Sequence, residues 1–171
     1  MTSRRLYFKL MREDLKSRLW AFAQPCLGFF FLFPVGAAFL AGEIREYANY
    51  QTGLLRYQKE LAMLLGFDNG VTVFLMIVAA LICGLSSFSF LNSRSKVDFY
   101  HSLPVRREIF FLVNYIDGIL ILMIPYAVCL ALGVILGIAN GGVAGTVIPL
   151  AVQSFGLEMT YFVLMYTVVV V

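Results

Sequence analysis

GILILMIPYAVCLALGVILGIANGGVAGTVIPLAVQSFGL, residues 118–157, contains no charged side chain. A helix that crosses a bilayer needs about 20 predominantly apolar residues. The stretch is therefore too long for one crossing and long enough to belong to two. The small, turn-forming piece Ala139-Asn140-Gly141-Gly142 divides it. Span three then covers about 116–138. Span four begins between Val147 and Leu157, at about 150, and runs to residue 171.

The same reasoning applies upstream. Leu19 to Gly42 is free of charge and gives span one, about 19–41. Asn69 to Ser93 is also free of charge and gives span two, about 71–91. The expected fold class is all-α: a polytopic transmembrane helical protein of about four spans. A cleaved signal peptide competes for span one, because Val35-Gly36-Ala37 loosely fits a small-residue cleavage site. The run exceeds the roughly 7–15 residues of a signal-peptide core and follows a long basic segment, which favours a retained span. Pro25, Pro34 and Pro125 fall within spans and read as static kinks or as hinges.

Composition agrees with lipid as the solvent. Apolar residues make up 61% of the chain and charged residues 13%, against roughly 45–50% and about 25% in soluble domains. The net charge of +3 matters less than its distribution. Six basic residues lie between Arg4 and Arg18, three (Arg45, Arg56, Lys59) between spans one and two, and four between Arg94 and Arg107. Basic residues accumulate on the cytoplasmic side. Ten against three places the N-terminus inside a cell membrane. Charges this sparse suit lipid headgroups and not nucleic acid.

Between the spans, three segments have distinct readings. In residues 1–18, Phe8, Met11 and Leu15 repeat at helical spacing and continue to Leu19, with Arg5, Lys9, Arg12 and Lys16 in a stripe beside them. This is an amphipathic interfacial helix turning into span one at Trp20, or a solvated basic tail that only fixes topology. The outer segment, 43–68, mixes both charge signs with Tyr47, Tyr50 and Tyr57 and a Leu54/Leu61/Leu65 pattern. It is expected to hold one short helix at the membrane surface.

The inner segment, 93–108, contains Lys96-Val97-Asp98-Phe99-Tyr100-His101-Ser102-Leu103-Pro104-Val105-Arg106-Arg107. Ser95 and Asp98 have capping-box spacing, and Leu103 before proline is pushed out of helical geometry. A short helix with a hard stop results, and Pro104 can open the helix into span three. Phe99 and Tyr100 are large aromatics on a side that should face water. They form a docking knob or lie against headgroups in an ordinary loop; the residues alone leave both readings open.

Catalytic patterns are missing. There is no GxxxxGK[ST], GxSxG or HExxH, and His101 is the single histidine. Cys26, Cys83 and Cys129 are isolated within apolar runs and form neither a zinc nor a disulfide framework. No enzyme activity, cofactor or metal is expected. The ionisable groups Asp117 and Glu158 border or enter spans three and four. An intramembrane ionisable residue is a functional candidate by default, although a shifted helix boundary would move either one to the interface.

The inner segment Lys96–Arg107 resembles the first cytoplasmic loop of ABC-2-type permease subunits of Gram-positive bacteria. Asp14-Leu15-Lys16-Ser17-Arg18-Leu19-Trp20 resembles the entry to their first helix, and Gly66-Phe67-Asp68-Asn69-Gly70 the opening of their second. The resemblance extends over essentially the whole chain and implies a permease component working with a separate cytoplasmic ABC ATPase and a second permease subunit, within membrane lipids. It also implies that Lys96, Val97, Asp98, Phe99, Tyr100, His101, Ser102 and Leu103, with Arg106 and Arg107 beside them, couple to the ATPase. Six membrane helices are common in that family. Four spans, ending in a run without an interfacial anchor, lead to the expectation that this is the N-terminal portion of a longer protein. A small membrane adaptor that transports nothing is the alternative.

Overall fold

A computed structural model of the chain describes residues 19–44, 50–67, 69–88 and 107–170. Among them the elements are α1 (Leu19–Phe30), a π-helical segment (Phe31–Val35), α2 (Gly36–Ile44), α3 (Tyr50–Leu65), α4 (Gly70–Phe88), α5 (Arg107–Ala139) and α6 (Ala144–Val170). Every one is helical. The amphipathic reading of residues 1–18 and most of the inner segment, 89–106, lie outside the described residues.

Four stretches are long and apolar enough to cross a membrane: Phe22–Glu43, Gln51–Ser87, Phe111–Ala139 and Ala144–Val170. Large apolar side chains also point outward. Phe39, Leu85 and Val168 are each at least 70% exposed, a surface that lipid tolerates and water does not. The chain is an all-α, multi-pass membrane protein.

The helix ends refine the sequence reading. α5 starts nine residues before the expected 116, and α6 starts at Ala144, before any boundary that the charge pattern suggested. The first span is not a uniform α-helix. Proline lacks the N–H that an interior helical position donates, and at Pro34 the chain widens into the π turn Phe31–Val35. Pro25 and Pro125 are accommodated inside α1 and α5.

The break between α5 and α6 follows from its glycines. Gly141 has φ +113°, a left-handed conformation that side chains with a Cβ resist. Its N–H donates to Ile138 O at 3.2 Å, and the N–H of Gly142 donates to Gly137 O at 2.9 Å. These two bonds form a Schellman stop, which satisfies carbonyls that a helix end leaves orphaned. The chain turns at once into α6, so α5 and α6 lie antiparallel.

The outer segment differs most from expectation. Its helix α3 buries Tyr57, Leu61 and Leu65 in the core. It closes over the glycine turn: Tyr57 OH donates to Gly137 O at 3.2 Å, and Gln58 Nε2 donates to Gly141 O at 3.1 Å. Asn69 then caps α4 by accepting from Val71 N–H at 3.0 Å. One turn before Gly137 on α5, the π segment comes so close that a Cβ on Gly133 would lie 2.9 Å from Phe33 Cβ.

Candidate functional site

Hydrocarbon makes polar groups costly, so the informative positions are the buried polar ones. Glu158 is 2% exposed and Asp117 is fully buried. Glu158 stands 14 residues into the 27-residue α6, about 21 Å along an axis of roughly 40 Å. Its burial places it inside the helix bundle. Asp117 lies ten residues into α5 and is likewise internal.

The carboxyl of Glu158 has a defined partner. Tyr126 OH donates a hydrogen bond to Glu158 Oε2. Tyr126 follows Pro125 in α5 and is itself completely buried. Aromatic rings surround the pair. Phe29 and Phe33, one turn apart on the first span, meet the Tyr126 ring edge-on with centroids at 5.1 and 5.7 Å. Phe155 stacks on Tyr126 at 5.6 Å. Phe155 and Phe162 lie three residues before and four after Glu158, on the same face of α6. The outcome is one buried carboxyl group bonded to a phenol whose ring packs against three others.

A second polar group lies toward the Arg107 end. Tyr166 OH donates to Ser87 Oγ at 3.1 Å, joining α6 to α4. Tyr115 OH and Thr167 Oγ1 are 2.7 Å apart. Thr167 gives its own proton to Val163 O at 2.6 Å, which leaves Tyr115 as the donor. Ser87, Asn114 and Asp117 are all buried at this end. These bonds tie α4, α5 and α6 together at this end.

The sequence candidates therefore separate into three sets. Lys96, Val97, Asp98, Phe99, Tyr100, His101, Ser102, Leu103 and Arg106 lie outside the described residues. Arg107 is the first residue of α5. Asp117 and Glu158 are both internal, but they belong to different polar groups, Glu158 to the middle and Asp117 to the Arg107 end. The isolated cysteines are free thiols, Cys83 and Cys129 buried and Cys26 partly so. No group of three His, Cys, Asp or Glu that could hold a metal occurs among the described residues.

Sequence reasoning missed Tyr126. A signal was present: it stands sixteen residues before Gly142 and Glu158 sixteen after, so a hairpin folded at that glycine brings both to one depth. An open groove of about 720 Å³ between the π segment, α2 and α3 is lined mainly by Phe31, Val35, Phe39 and Met63. Glu60 and Asn69 are its polar lining, and Asn69 is already engaged as a helix cap.

No protein-family model matches this chain, and no curated protein or solved structure matches it.

Proposed function

We propose that the chain is a membrane-spanning component of an ABC-2-type permease in the cell membrane, with its N-terminus in the cytoplasm. It contributes part of a substrate path and the contact to a cytoplasmic ATPase, where ATP is hydrolysed. A second permease subunit completes the path. The observation that carries this reading is the inner segment: Lys96–Arg107 resembles the coupling loop of such permeases and joins two successive spans. The ends of those spans support it by being cross-tied through Ser87, Tyr115, Tyr166 and Thr167, so that a push on the segment reaches three helices together. The ten-to-three asymmetry of basic residues supports the orientation.

Phe99 and Tyr100 are the anchors in this reading, and Arg106 and Arg107 are rim charges. Truncating buried aromatic anchors at an interface commonly costs about 2 kcal/mol or more, roughly a 30-fold loss of affinity. The test is purification of the tagged protein from native membranes with identification of bound subunits, repeated with the Phe99→Ala/Tyr100→Ala double variant. An ABC ATPase should co-purify with wild type and be lost from the double variant, while membrane insertion is unchanged. Recovery of no ATPase, or equal recovery with both proteins, rejects the proposal.

A further inference from the structure

Glu158 poses a chemical question that the coupling segment does not answer. The acid is buried at mid-bundle, and among the described residues its one hydrogen-bond partner is the phenol of Tyr126. No Lys, Arg or His among the described residues pairs with it. A buried charge is stable only when an opposite charge or several donors compensate it. One phenol provides a single donor. The Tyr126 ring packs against Phe29 and Phe33 of the first span and Phe155 of α6, and Phe162 lies one turn beyond Glu158 on α6.

We propose that Glu158 and these rings form a binding site for a lipophilic organic cation. The chemistry selects this class over its competitors. A metal ion such as calcium requires six to eight oxygen ligands, and the site offers one carboxyl and one phenol. A sugar or other polyol would need several convergent donors and acceptors to fix it. An anion would meet the carboxylate with repulsion. A cation with an apolar shell receives its counter-charge from Glu158, while the faces of the rings attract it through their quadrupoles.

The helix irregularities provide a way in. Phe29 and Phe33 lie just before and within the π segment, Pro34 adjoins Phe33, and Pro125 adjoins Tyr126. Prolines and π turns interrupt the regular hydrogen-bond ladder of a helix, and π turns are common at functional sites. The wall of the site thus includes residues of two spans that stand beside an interrupted backbone ladder. Parting the first span from α5 at this level separates Phe29 and Phe33 from Tyr126 and exposes the acid. Binding by this site rests on the permease reading only for the purpose it would serve, since the binding itself is a property of the chain alone.

The probe is radiolabelled tetraphenylphosphonium, measured by equilibrium dialysis against the full chain in detergent micelles. Saturable binding is expected, unaffected by an excess of uncharged triphenylphosphine oxide. Glu158→Gln should weaken it at least about tenfold. Phe155→Leu, which keeps the acid, should weaken it roughly threefold to tenfold, as expected for loss of one ring face. Absence of saturable binding to wild type, displacement by the uncharged analogue, or unchanged affinity in Glu158→Gln overturns the proposal. If Glu158→Gln does not fold, Phe155→Leu decides: weakened binding supports the site and wild-type affinity overturns it. None of these outcomes depends on recovery of an ATPase, so failure here is distinguishable from failure of the coupling segment.

Discussion

The middle of the bundle and the cap over the α5–α6 turn both keep polar groups satisfied in an apolar medium, but by different means. At the cap, backbone geometry does most of it. Gly141 and Gly142 donate to the last carbonyls of α5, and Tyr57 and Gln58 of α3 close over the turn. Two carbonyls there accept twice: Gly137 O from Gly142 N–H and Tyr57 OH, and Leu136 O from the backbone and side chain of Asn140. In the middle, one acid is bonded to one phenol, whose ring packs against Phe29, Phe33 and Phe155. Redundant bonding is suited to holding helices in place. A solitary polar pair between three elements is suited to exchanging partners.

This contrast can be broken at several points. The largest effect is expected from Tyr126→Ala. It removes a fully buried ring against which Phe29, Phe33 and Phe155 pack, and it strips Glu158 of its donor. Lipid weakens the transfer term, since the chain tails are as apolar as the core, but the cavity and the stranded acid remain. A loss of about 3 kcal/mol is expected in reversible SDS unfolding. A smaller effect, about 2 kcal/mol, is expected for Gly142→Ala. A Cβ there would lie 2.8 Å from Gly137 O, a backbone atom with nowhere to move. Gly145→Ala, three residues further on and in open space, should be neutral or stabilising by up to about 1 kcal/mol through helix propensity. If the two glycines respond alike, the turn is not the structural element described. The smallest loss is expected for Tyr57→Phe, about 0.5–1 kcal/mol, because Gly137 O keeps its second donor; a loss as large as that of Tyr126→Ala would erase the distinction between cap and centre.

Much of the fold was legible because charge is so costly in lipid that its absence delimits spans. The charge-free runs from Leu19, Asn69 and Gly118 each led to a helix, and Gly141-Gly142 marked the turn between α5 and α6. The start of α6 was harder. Its first residues, Ala144 to Thr146, are small or polar and carry no boundary signal. α3 was legible as a helix but not as a buried one. The Leu54/Leu61/Leu65 pattern shows an apolar face, and nothing local says that glycines of α5 will receive it. For the site, the sequence singled out Glu158 by its charge and passed over Tyr126, because a tyrosine in a span attracts no notice until its partner is placed. The π segment was invisible for a related reason: Pro34 announces an irregularity but not its form.

The direct test of the central claim, that Glu158 is held at mid-bundle by Tyr126, is a double-mutant cycle. Tyr126→Phe removes only the hydroxyl, and Glu158→Met keeps the length of the side chain without its oxygens. The four proteins are compared by SDS unfolding in the same micelles. Hydrogen bonds between membrane helices give couplings of up to about 1–2 kcal/mol, and a buried pair with a carboxyl group should lie at that upper end. The account predicts a coupling of at least about 1 kcal/mol. Additive effects, with a coupling inside the roughly 0.3–0.5 kcal/mol scatter of independent sites, would contradict it.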